Sequence, residues 1–209
     1  MTKTTEMTRI TEFSELTRLV TIEGRPPGLL TNAVPEWAKE NLLLKGEGKE
    51  AKASPKRTRR EQFEDSLYLV DSPLRENEYG IPSDAFKQAM VRAAKSFKKL
   101  GNSGVKKLDG VQVQSLIFVG DGPDHLITVG GCVEPRADLI SNSQGSKTAV
   151  IRAWFREWTA VLPLRFSPDL VNDEVVLQLL SDAGQGVGVG AWRRERGGHF
   201  GLWRIVSVV

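Results

Sequence analysis

The chain contains one cysteine and two histidines. Cys132 therefore has no partner for an intrachain disulfide, which favours a reducing compartment. One cysteine with His125 and His199 also provides no zinc-ligand spacing. We expect no metal ion, no cofactor and no disulfide in this protein.

Long apolar runs are missing as well. No stretch approaches the ~20 apolar residues that span a bilayer, and Met1 to Glu15 has no apolar region of the kind found in a signal peptide. The net charge of +3 is only mildly basic, so the placement of the charges is more informative than their sum. We expect one domain over residues 1–209, in the cytoplasm of a bacterial cell and without contact with a membrane.

Glycine, in contrast, is concentrated near the end of the chain, with seven glycines between Ala183 and Gly201. A short basic segment, Trp192, Arg193, Arg194 and Arg196, lies between the two glycine clusters. Glycine allows close backbone approach, at an entropic cost of about 0.5–1 kcal/mol in a regular element. Because packing does not require so many glycines, we interpret this stretch as backbone that lies against an anionic partner. The alternative is a flexible hairpin tip with solvated arginines.

A second pattern follows the predicted strand Thr148 to Trp158, whose two faces differ in character. The apolar face, expected to point to a core, consists of Ala149, Ile151, Ala153 and Phe155. The other face alternates cation and indole: Arg152, Trp154, Arg156 and Trp158. Bases stack on aromatic rings and arginines pair with phosphates, so this face is typical of a platform for single strands. The alternative is that the tryptophans pack beneath an inserted segment or a neighbouring subunit.

The segment 45–60 is rich in lysine and arginine and nearly free of apolar residues. Such composition does not bury enough surface to offset ordering, so we expect a mobile basic insertion when no partner is bound. Its last four cations, Lys56, Arg57, Arg59 and Arg60, are candidates for contacts with a phosphate backbone.

The remaining patterns predict further elements of secondary structure. The predicted strands are Leu16 to Glu23, Ser66 to Val70, Glu78 to Ile81, Val111 to Val119, His125 to Val129, Thr159 to Phe166 with an edge or bulge at Pro163, and Leu202 to Val208. The predicted helices are Pro35 to Leu44, one opened by Pro82 with Ser83 as N-cap, and one that starts at Ser167-Pro168 and ends before Gly184. Residues 134–147 are expected to form a polar loop insertion.

Without the insertions, the predicted order is β-α-β-β-α-β, which is the ferredoxin-like (RRM-like) plan of an α+β fold. On this plan, both helices cover one face of an antiparallel sheet. The chain should therefore be a ferredoxin-like core that carries inserted basic thumb or loop segments.

Three stretches resemble a known family, the RAMP superfamily, and within it the backbone subunits of CRISPR effector complexes. The strongest is the glycine-rich loop Gly188 to Gly201 between the second helix and the last strand. Tyr79 to Ala89 is similar to that family's strand, proline and helix entry, and the opening strand with Glu23-Gly24 is a weaker match. The sequence is also similar to short bacteriophage-encoded proteins of this kind.

The resemblance implies a protein that binds single-stranded RNA or DNA and assembles with copies of itself into a filament or ring, with other effector-complex subunits as further partners. Amides near Ser83 and the Lys87 side chain would meet the nucleic-acid backbone, as would the arginines of the glycine-rich loop. Affinity would come from phosphate contacts and would fall with salt. A CRISPR-like backbone role and a phage single-strand-binding or annealing role both remain open.

The sequence also leaves catalysis to be considered, because some members of the superfamily are ribonucleases. His199 lies in the glycine-rich loop and is a candidate general base, but no partner residue is evident, so we expect a phosphate or base contact and no catalytic residue. Other members cut RNA with a loop aspartate and a metal ion, and the candidates for this role are Asp65, Asp71, Asp109 and Asp121. The alternatives to non-catalytic binding are a metal-independent RNA-processing endonuclease that uses His199 and a purely structural assembly protein.

Overall fold

The computed structural model describes residues 13–50, 52–53, 55–70, 78–96, 108–122, 125–141, 145 and 147–209. The strands in this part of the chain are β1 (Leu16–Gly24), β2 (Leu29–Leu30), β3 (Leu69–Val70), β4 (Glu78–Pro82), β5 (Ile117–Val119), β6 (Leu126–Gly130), β7 (Val133–Ser141), β8 (Lys147–Phe155), β9 (Thr159–Phe166) and β10 (Trp203–Val208). The helices are α1 (Glu36–Gly46), α2 (Arg59–Asp65), α3 (Ser83–Ser96), α4 (Gly110–Leu116) and α5 (Asp173–Gly186). Among the described helices, none has the length and apolar character needed to cross a membrane.

The main sheet is antiparallel and has the order β10-β1-β9-β6-β4-β3. Strand β1 pairs with β9 on one side and with β10 on the other. Helix α3 follows β1 along the chain, α5 connects β9 to β10, and the two helices pack against each other. The α+β prediction with a β-α-β-β-α-β core is therefore confirmed.

Strand β1 shows why these residues form a half-buried strand. Val20 and Ile22 are fully buried, whereas Leu19, on the opposite face, is 47% exposed. This is the period-2 burial of a sheet with one face on the core. The helices fill that core with Phe86 and Leu180, both fully buried.

On the side of β9 opposite β1, the neighbouring strand is interrupted. Two short strands, β5 and β6, both pair antiparallel with β9 there. Pro163 lies at the break, paired with Leu19 on its β1 side. Its carbonyl accepts a hydrogen bond from the Gly120 N–H at 2.9 Å on the other side. Of the edge or bulge predicted at Pro163, the edge is therefore wrong: the strand is central, and the missing proline N–H falls where the neighbouring strand is interrupted.

Two other predicted boundaries are wrong near α4 and α5. Residues Gly110–Leu116 form a helix instead of a strand, because the Asp109 side chain accepts the N–H groups of Val111 and Gln112 in a capping box. Helix α5 begins at Asp173, since Asn172 and not Ser167 provides the N-cap. It also continues past Gly184, which therefore lies inside the helix. Glycine fits there because a Cβ would overlap the buried Trp203.

The predicted polar loop over residues 134–147 is wrong for Glu134 to Ser141, which form most of β7. Strand β7 pairs with β8 along its whole length, from Val133 with Phe155 to Ser141 with Lys147. Polar and apolar residues alternate in β7: Glu134, Arg136 and the buried Asp138 lie on one face, and the exposed Pro135, Ala137 and Leu139 lie on the other. Together with β2, this hairpin forms a second sheet of order β2-β8-β7.

The insertion between β1 and α3 carries β2, α1, α2, β3 and β4. Helix α1 has Pro35 at its N-cap position, as the prediction of a helix from Pro35 implied, and no residue of α1 is buried. Helix α2 packs on β8. There the Ser66 hydroxyl accepts the Ala153 N–H at 2.7 Å, so the backbone of β8 is satisfied beyond its short pairing with β2. The predicted strand Ser66 to Val70 is reduced to Leu69–Val70.

Candidate nucleic-acid interface

The glycine-rich loop after α5 folds back against its own chain. The Gly201 N–H donates to the Gly28 carbonyl at 2.8 Å, and the Ala191 N–H donates to the Leu30 carbonyl at 2.8 Å. A Cβ on Gly190 would overlap the Leu30 carbonyl oxygen, and one on Gly198 would overlap the Trp192 carbonyl oxygen. The interpretation that packing does not require these glycines is therefore wrong, because they permit contacts between backbone segments of the same chain.

Trp192, within this loop, has a strained backbone conformation. Its φ is 49°, a left-handed value that non-glycine residues rarely adopt. Its carbonyl accepts the Phe200 N–H at 3.1 Å, so the two aromatic residues lie side by side where the loop turns back. Trp192 is 37% exposed and Phe200 is 6% exposed. The loop therefore presents one indole to solvent and buries one phenyl ring beside Arg136 of β7.

The loop and the polar face of the β7–β8 hairpin meet in a single group of side chains. We call this group the arginine–aromatic cluster: Arg136, Arg152, Trp154, Arg156, Trp192 and Phe200.

In this cluster, guanidinium groups and aromatic rings alternate. The Arg156 guanidinium lies 4.4 Å from the centre of the Trp154 ring, and the Arg136 guanidinium lies 5.0 Å from the same ring. Arg136 is also 5.2 Å from the Phe200 ring, and Arg152 is 5.3 Å from the Trp192 ring. All four distances are within the range of cation–π attraction.

Acidic residues of β7 accompany these arginines. Arg136 Nε donates to Asp138 Oδ1 at 2.9 Å, and Arg152 Nη1 lies 3.9 Å from Asp138 Oδ2. Arg152 is only 8% exposed. Burial lowers the pKa of Arg152 from its ordinary value, and the neighbouring Asp138 opposes this shift. At the outer end, Arg156 pairs with Glu134 at 3.1 Å, and both side chains are about half exposed or more.

The two tryptophans of the predicted cation–indole face have different environments. Trp154 is half-buried, and its indole N–H donates to the Pro27 carbonyl at 2.8 Å. Trp158 is 2% exposed and lies against Gly24, in the core. Trp158 is thus not part of a stacking platform, because the chain leaves β8 at Phe155 and turns before this residue.

The other predicted residues of the loop form a short turn beside the cluster, at Arg194–Arg196. Arg193 pairs with Glu195 at 2.9 Å, and Glu195 also pairs with Arg92 of α3 at 3.2 Å. Arg194 donates to the Gln185 carbonyl at 3.2 Å and is exposed. Arg196 and His199 are exposed, and their side chains make no hydrogen bond or ion pair with any described residue. The turn therefore presents Arg194 and Arg196 to solvent, whereas the Arg193 guanidinium is paired with Glu195.

Ser83 and Lys87 lie elsewhere, at the start of α3. Ser83 is 1% exposed, and its hydroxyl donates to the Gly122 carbonyl at 2.8 Å. It is neither a side-chain cap nor accessible to a nucleic-acid backbone. The Lys87 ammonium lies 4.9 Å from the Phe118 ring, in a concavity of about 240 Å³ shared with Arg165.

The predicted cations of the 45–60 segment lie at and before α2. Arg57 pairs with Asp65 and stacks 4.8 Å from the Trp37 ring. Arg60 pairs with Glu64 at 2.8 Å, whereas Lys56 and Arg59 are exposed.

Arg59 and Arg60 line a groove of about 530 Å³ together with Pro135, Ala137 and Ile151. Since side chains alternate along a strand, this groove is on the opposite face of the β7–β8 hairpin from the arginine–aromatic cluster.

The outer face of the main sheet differs between its strands: β5 carries the half-exposed Phe118 beside Lys87, whereas β1 and β9 have no aromatic ring on this face. On β1 and β9 this face consists of Thr17, Leu19, Thr21, Glu23, Thr159, Val161, Pro163 and Arg165. None of these residues is aromatic, whereas sheets that bind single strands in the RRM manner stack bases on aromatic rings.

Sequence reasoning missed three residues of this site: Arg136, Asp138 and Phe200. The alternation in β7 of Glu134, Arg136 and Asp138 with Pro135 and Ala137 was a usable signal for a strand with one charged face. Phe200 had no comparable signal, because its contact with Arg136 depends on how the glycine-rich loop folds back.

The candidate groups for catalysis are dispersed. Asp65 is paired with Arg57, Asp109 caps α4, and the Asp121 N–H donates to His125 Nδ1 at 2.7 Å. Asp71 lies outside the described residues. Within the described ranges, no three histidine, cysteine, aspartate or glutamate side chains converge as a metal site would require.

No protein-family model and no curated protein matches the chain. Among solved structures, a chain of the Type III-B Cmr-beta complex bound to cognate target RNA is similar, with 12% sequence identity and a TM-score of 0.44. The match covers 93% of this chain and 60% of that chain, so the protein spans about three fifths of its length. These values do not show a shared family, and membership of the RAMP superfamily stays a prediction.

Proposed function

We propose that this protein binds single-stranded nucleic acid, RNA or DNA, at the arginine–aromatic cluster and the adjacent turn Arg194–Arg196. It binds without cleaving the strand, and copies assemble side by side along it as a filament or ring. The alternation of three guanidinium groups with three aromatic rings is the observation that carries this proposal.

The chemistry of the cluster supports this assignment. Unpaired bases stack on aromatic rings and on guanidinium planes, and each stacked base contributes about 1–3 kcal/mol. Trp192 has a ring accessible to a base, with Arg152 beneath it. Arg156 is 63% exposed, and Arg194 and Arg196 extend the cationic surface beside Trp192. Duplex bases are already stacked on each other, so this arrangement favours single strands.

Non-catalytic binding is supported by the environment of His199. The side chain is exposed and has no hydrogen bond or ion pair with the described residues. A general base requires a partner that orients it and a defined position relative to the reacting proton. A phosphate or base contact requires neither, so we assign His199 to binding.

Assembly along the strand is supported by the edges of the two sheets. Strands β7 and β10 are the ends of their sheets in the described part of the chain. Edge strands offer unpaired backbone groups to another chain. We propose that neighbouring copies meet at such an edge, in the role of a CRISPR-like backbone subunit or of a phage single-strand-binding or annealing protein.

The test of binding is fluorescence anisotropy with labelled 20-nucleotide single-stranded RNA, single-stranded DNA and duplex DNA, for wild type and Trp192→Ala. Loss of one stacked base should weaken single-strand binding about tenfold, because about 1.4 kcal/mol corresponds to a factor of ten. Trp37→Ala is the matched control, since Trp37 also stacks on an arginine but lies in α1. Equal affinity of wild type and Trp192→Ala, or no binding by wild type, would contradict the proposal.

Electron microscopy and sedimentation with and without the same oligonucleotides test assembly. Growth of particles on addition of single strands is the expected result. A particle size that is large already in the absence of nucleic acid and unaltered by its addition would instead identify a structural assembly protein. Cleavage of labelled structured RNA by wild type, abolished in His199→Ala, would identify the endonuclease.

A further inference from the structure

Asp138 occupies an unusual position beneath the arginine–aromatic cluster. It lies on β7 opposite Val150 of β8 and is 6% exposed. A carboxylate is buried at high cost unless cations and hydrogen bonds compensate its charge. Here the compensation comes from Arg136, bonded at 2.9 Å, and from Arg152, 3.9 Å away.

The same carboxylate separates two cations that would otherwise repel each other. Arg136 and Arg152 are direct partners in the register of β7 and β8. Like charges that face each other across two strands destabilise the pairing. Asp138 lies on the same face of β7, two residues after Arg136, so its charge offsets both guanidinium groups.

Both arginines stack on the aromatic rings of the cluster, Arg136 on Trp154 and Phe200 and Arg152 on Trp192. A shift of either guanidinium therefore removes a contact that these rings have in the folded protein. We propose that Asp138 is a positioning residue of the nucleic-acid site: its charge holds Arg136 and Arg152 in place against the aromatic rings of the cluster. This inference rests on the proposed function.

A positioning role for Asp138 and simple electrostatics predict opposite effects of neutralising its carboxylate. Removal of a negative charge from a surface that binds phosphates should strengthen binding. If Asp138 positions the two arginines, its neutralisation should instead weaken binding.

Glu134 is a matched control for this comparison. It lies on the same face of the same strand and also pairs with an arginine of the cluster, Arg156, but the pair is exposed. Exposed ion pairs contribute little to holding a side chain in place. Glu134→Gln should therefore follow simple electrostatics and raise the affinity up to about threefold, within the ~1 kcal/mol such pairs contribute.

The experiment compares wild type, Asp138→Asn and Glu134→Gln by anisotropy with a labelled 20-nucleotide single-stranded RNA over a series of salt concentrations. Asp138→Asn should bind about tenfold more weakly, equivalent to the loss of one charge-assisted contact. The slope of log K against log salt should also become shallower by about 0.7 for each lost phosphate contact, in spite of the added net charge. A purely structural role for Asp138 predicts no decrease of that slope in the folded variant.

Circular dichroism establishes whether Asp138→Asn is folded at the temperature of the assay. If it is not, Asp138→Glu takes its place, because it keeps the charge but moves it by one methylene. A folded Asp138→Glu protein with weakened binding supports the inference, and one with wild-type affinity overturns it.

The remaining outcomes distinguish this inference from the proposed function. A wild-type protein that binds, with a folded Asp138→Asn variant of equal or higher affinity or of unaltered salt slope, overturns the inference alone. A wild-type protein that binds no single strand overturns the proposed function and this inference together.

Discussion

Two regions of this protein are rich in arginine, and they differ in what surrounds the cations. In the segment before and within α2, Arg57 and Arg60 are paired with the α2 carboxylates of Asp65 and Glu64, and Arg57 also lies over the Trp37 ring of α1. In the arginine–aromatic cluster, the guanidinium groups lie over aromatic rings contributed by β8 and by the glycine-rich loop. The first region joins the neighbouring helices α1 and α2, whereas the second joins the β7–β8 hairpin to the glycine-rich loop.

The difference shows that cation count and cation function are separate properties. An exposed arginine with a local carboxylate partner has its charge offset, and such pairs contribute 0–1 kcal/mol to stability. An arginine stacked on an aromatic ring is held in one orientation. In the cluster, Arg136 and Arg156 each use Nε for a carboxylate, which leaves their terminal amino groups for a ligand. On this basis, the cluster should bind single strands and the α2 region should make only a weak, salt-sensitive contribution.

The largest expected effect comes from removing two cations of the arginine–aromatic cluster, and the same removal in α2 is the comparison. Arg136→Met with Arg156→Met should weaken single-strand binding about a hundredfold or more, since each charge-assisted contact contributes about 1.5–3 kcal/mol. Arg59→Met with Arg60→Met removes the same charge and should change the affinity by less than about threefold. Anisotropy titrations of both double variants measure the two values. Similar losses for the two pairs would show that net charge alone determines binding.

An intermediate effect is expected from two neighbouring glycines of the loop. A Cβ at Gly198 would collide with the Trp192 carbonyl, whereas one at Gly197 meets open space. Gly198→Ala should destabilise the protein by about 1–3 kcal/mol and displace Trp192, with an affinity loss of about tenfold.

Gly197→Ala is the control for this change. Its φ of 76° makes alanine unfavourable by about 1–2 kcal/mol, but Trp192 keeps its position, so the affinity should stay within about twofold of wild type. Thermal unfolding and anisotropy together measure both properties. Equal affinities for the two variants would show that the position of Trp192 is unimportant.

The smallest expected effect concerns the cap of α2. Hydrogen bonds from the backbone and the hydroxyl of Thr58 lower the pKa of Glu61 from its ordinary value. A carboxyl group with a lowered pKa in the folded state stabilises that state above its unfolded pKa and loses this contribution as the pH falls through the folded value. The cap should therefore weaken below about pH 4.5, which NMR titration of the Thr58 and Glu61 amides would follow. Because the cap is distant from the cluster, Glu61→Gln should leave single-strand affinity at pH 7 unaltered.

The predictability of the fold followed the regularity of the patterns. The sequence patterns predicted α3, α5, β1 and β9, whose core residues Phe86, Val176 and Val20 are fully buried. The errors occurred where side-chain capping decided the backbone, as at Asp109 and Asn172. Strand β7 was missed because polar residues on one face of a hairpin have the composition of a loop.

The site was predictable only in part for a related reason. Arg152, Arg156 and Trp192 were identified from local patterns, and the structure brings them together. Arg136, Asp138 and Phe200 entered the site through strand register and the return of the glycine-rich loop, which are long-range properties. Ser83 fitted a motif by sequence, but its hydroxyl is used inside the fold.

Photo-crosslinking of a 4-thiouridine-substituted single-stranded RNA, followed by mass spectrometry of the crosslinked peptides, tests the central claim most directly. The account predicts crosslinks in the peptides that contain Trp192 and Trp154, with the Trp192 crosslink lost in Trp192→Ala. Crosslinks confined to residues 45–60, or to the outer face of the main sheet around Leu19 and Val161, would contradict it.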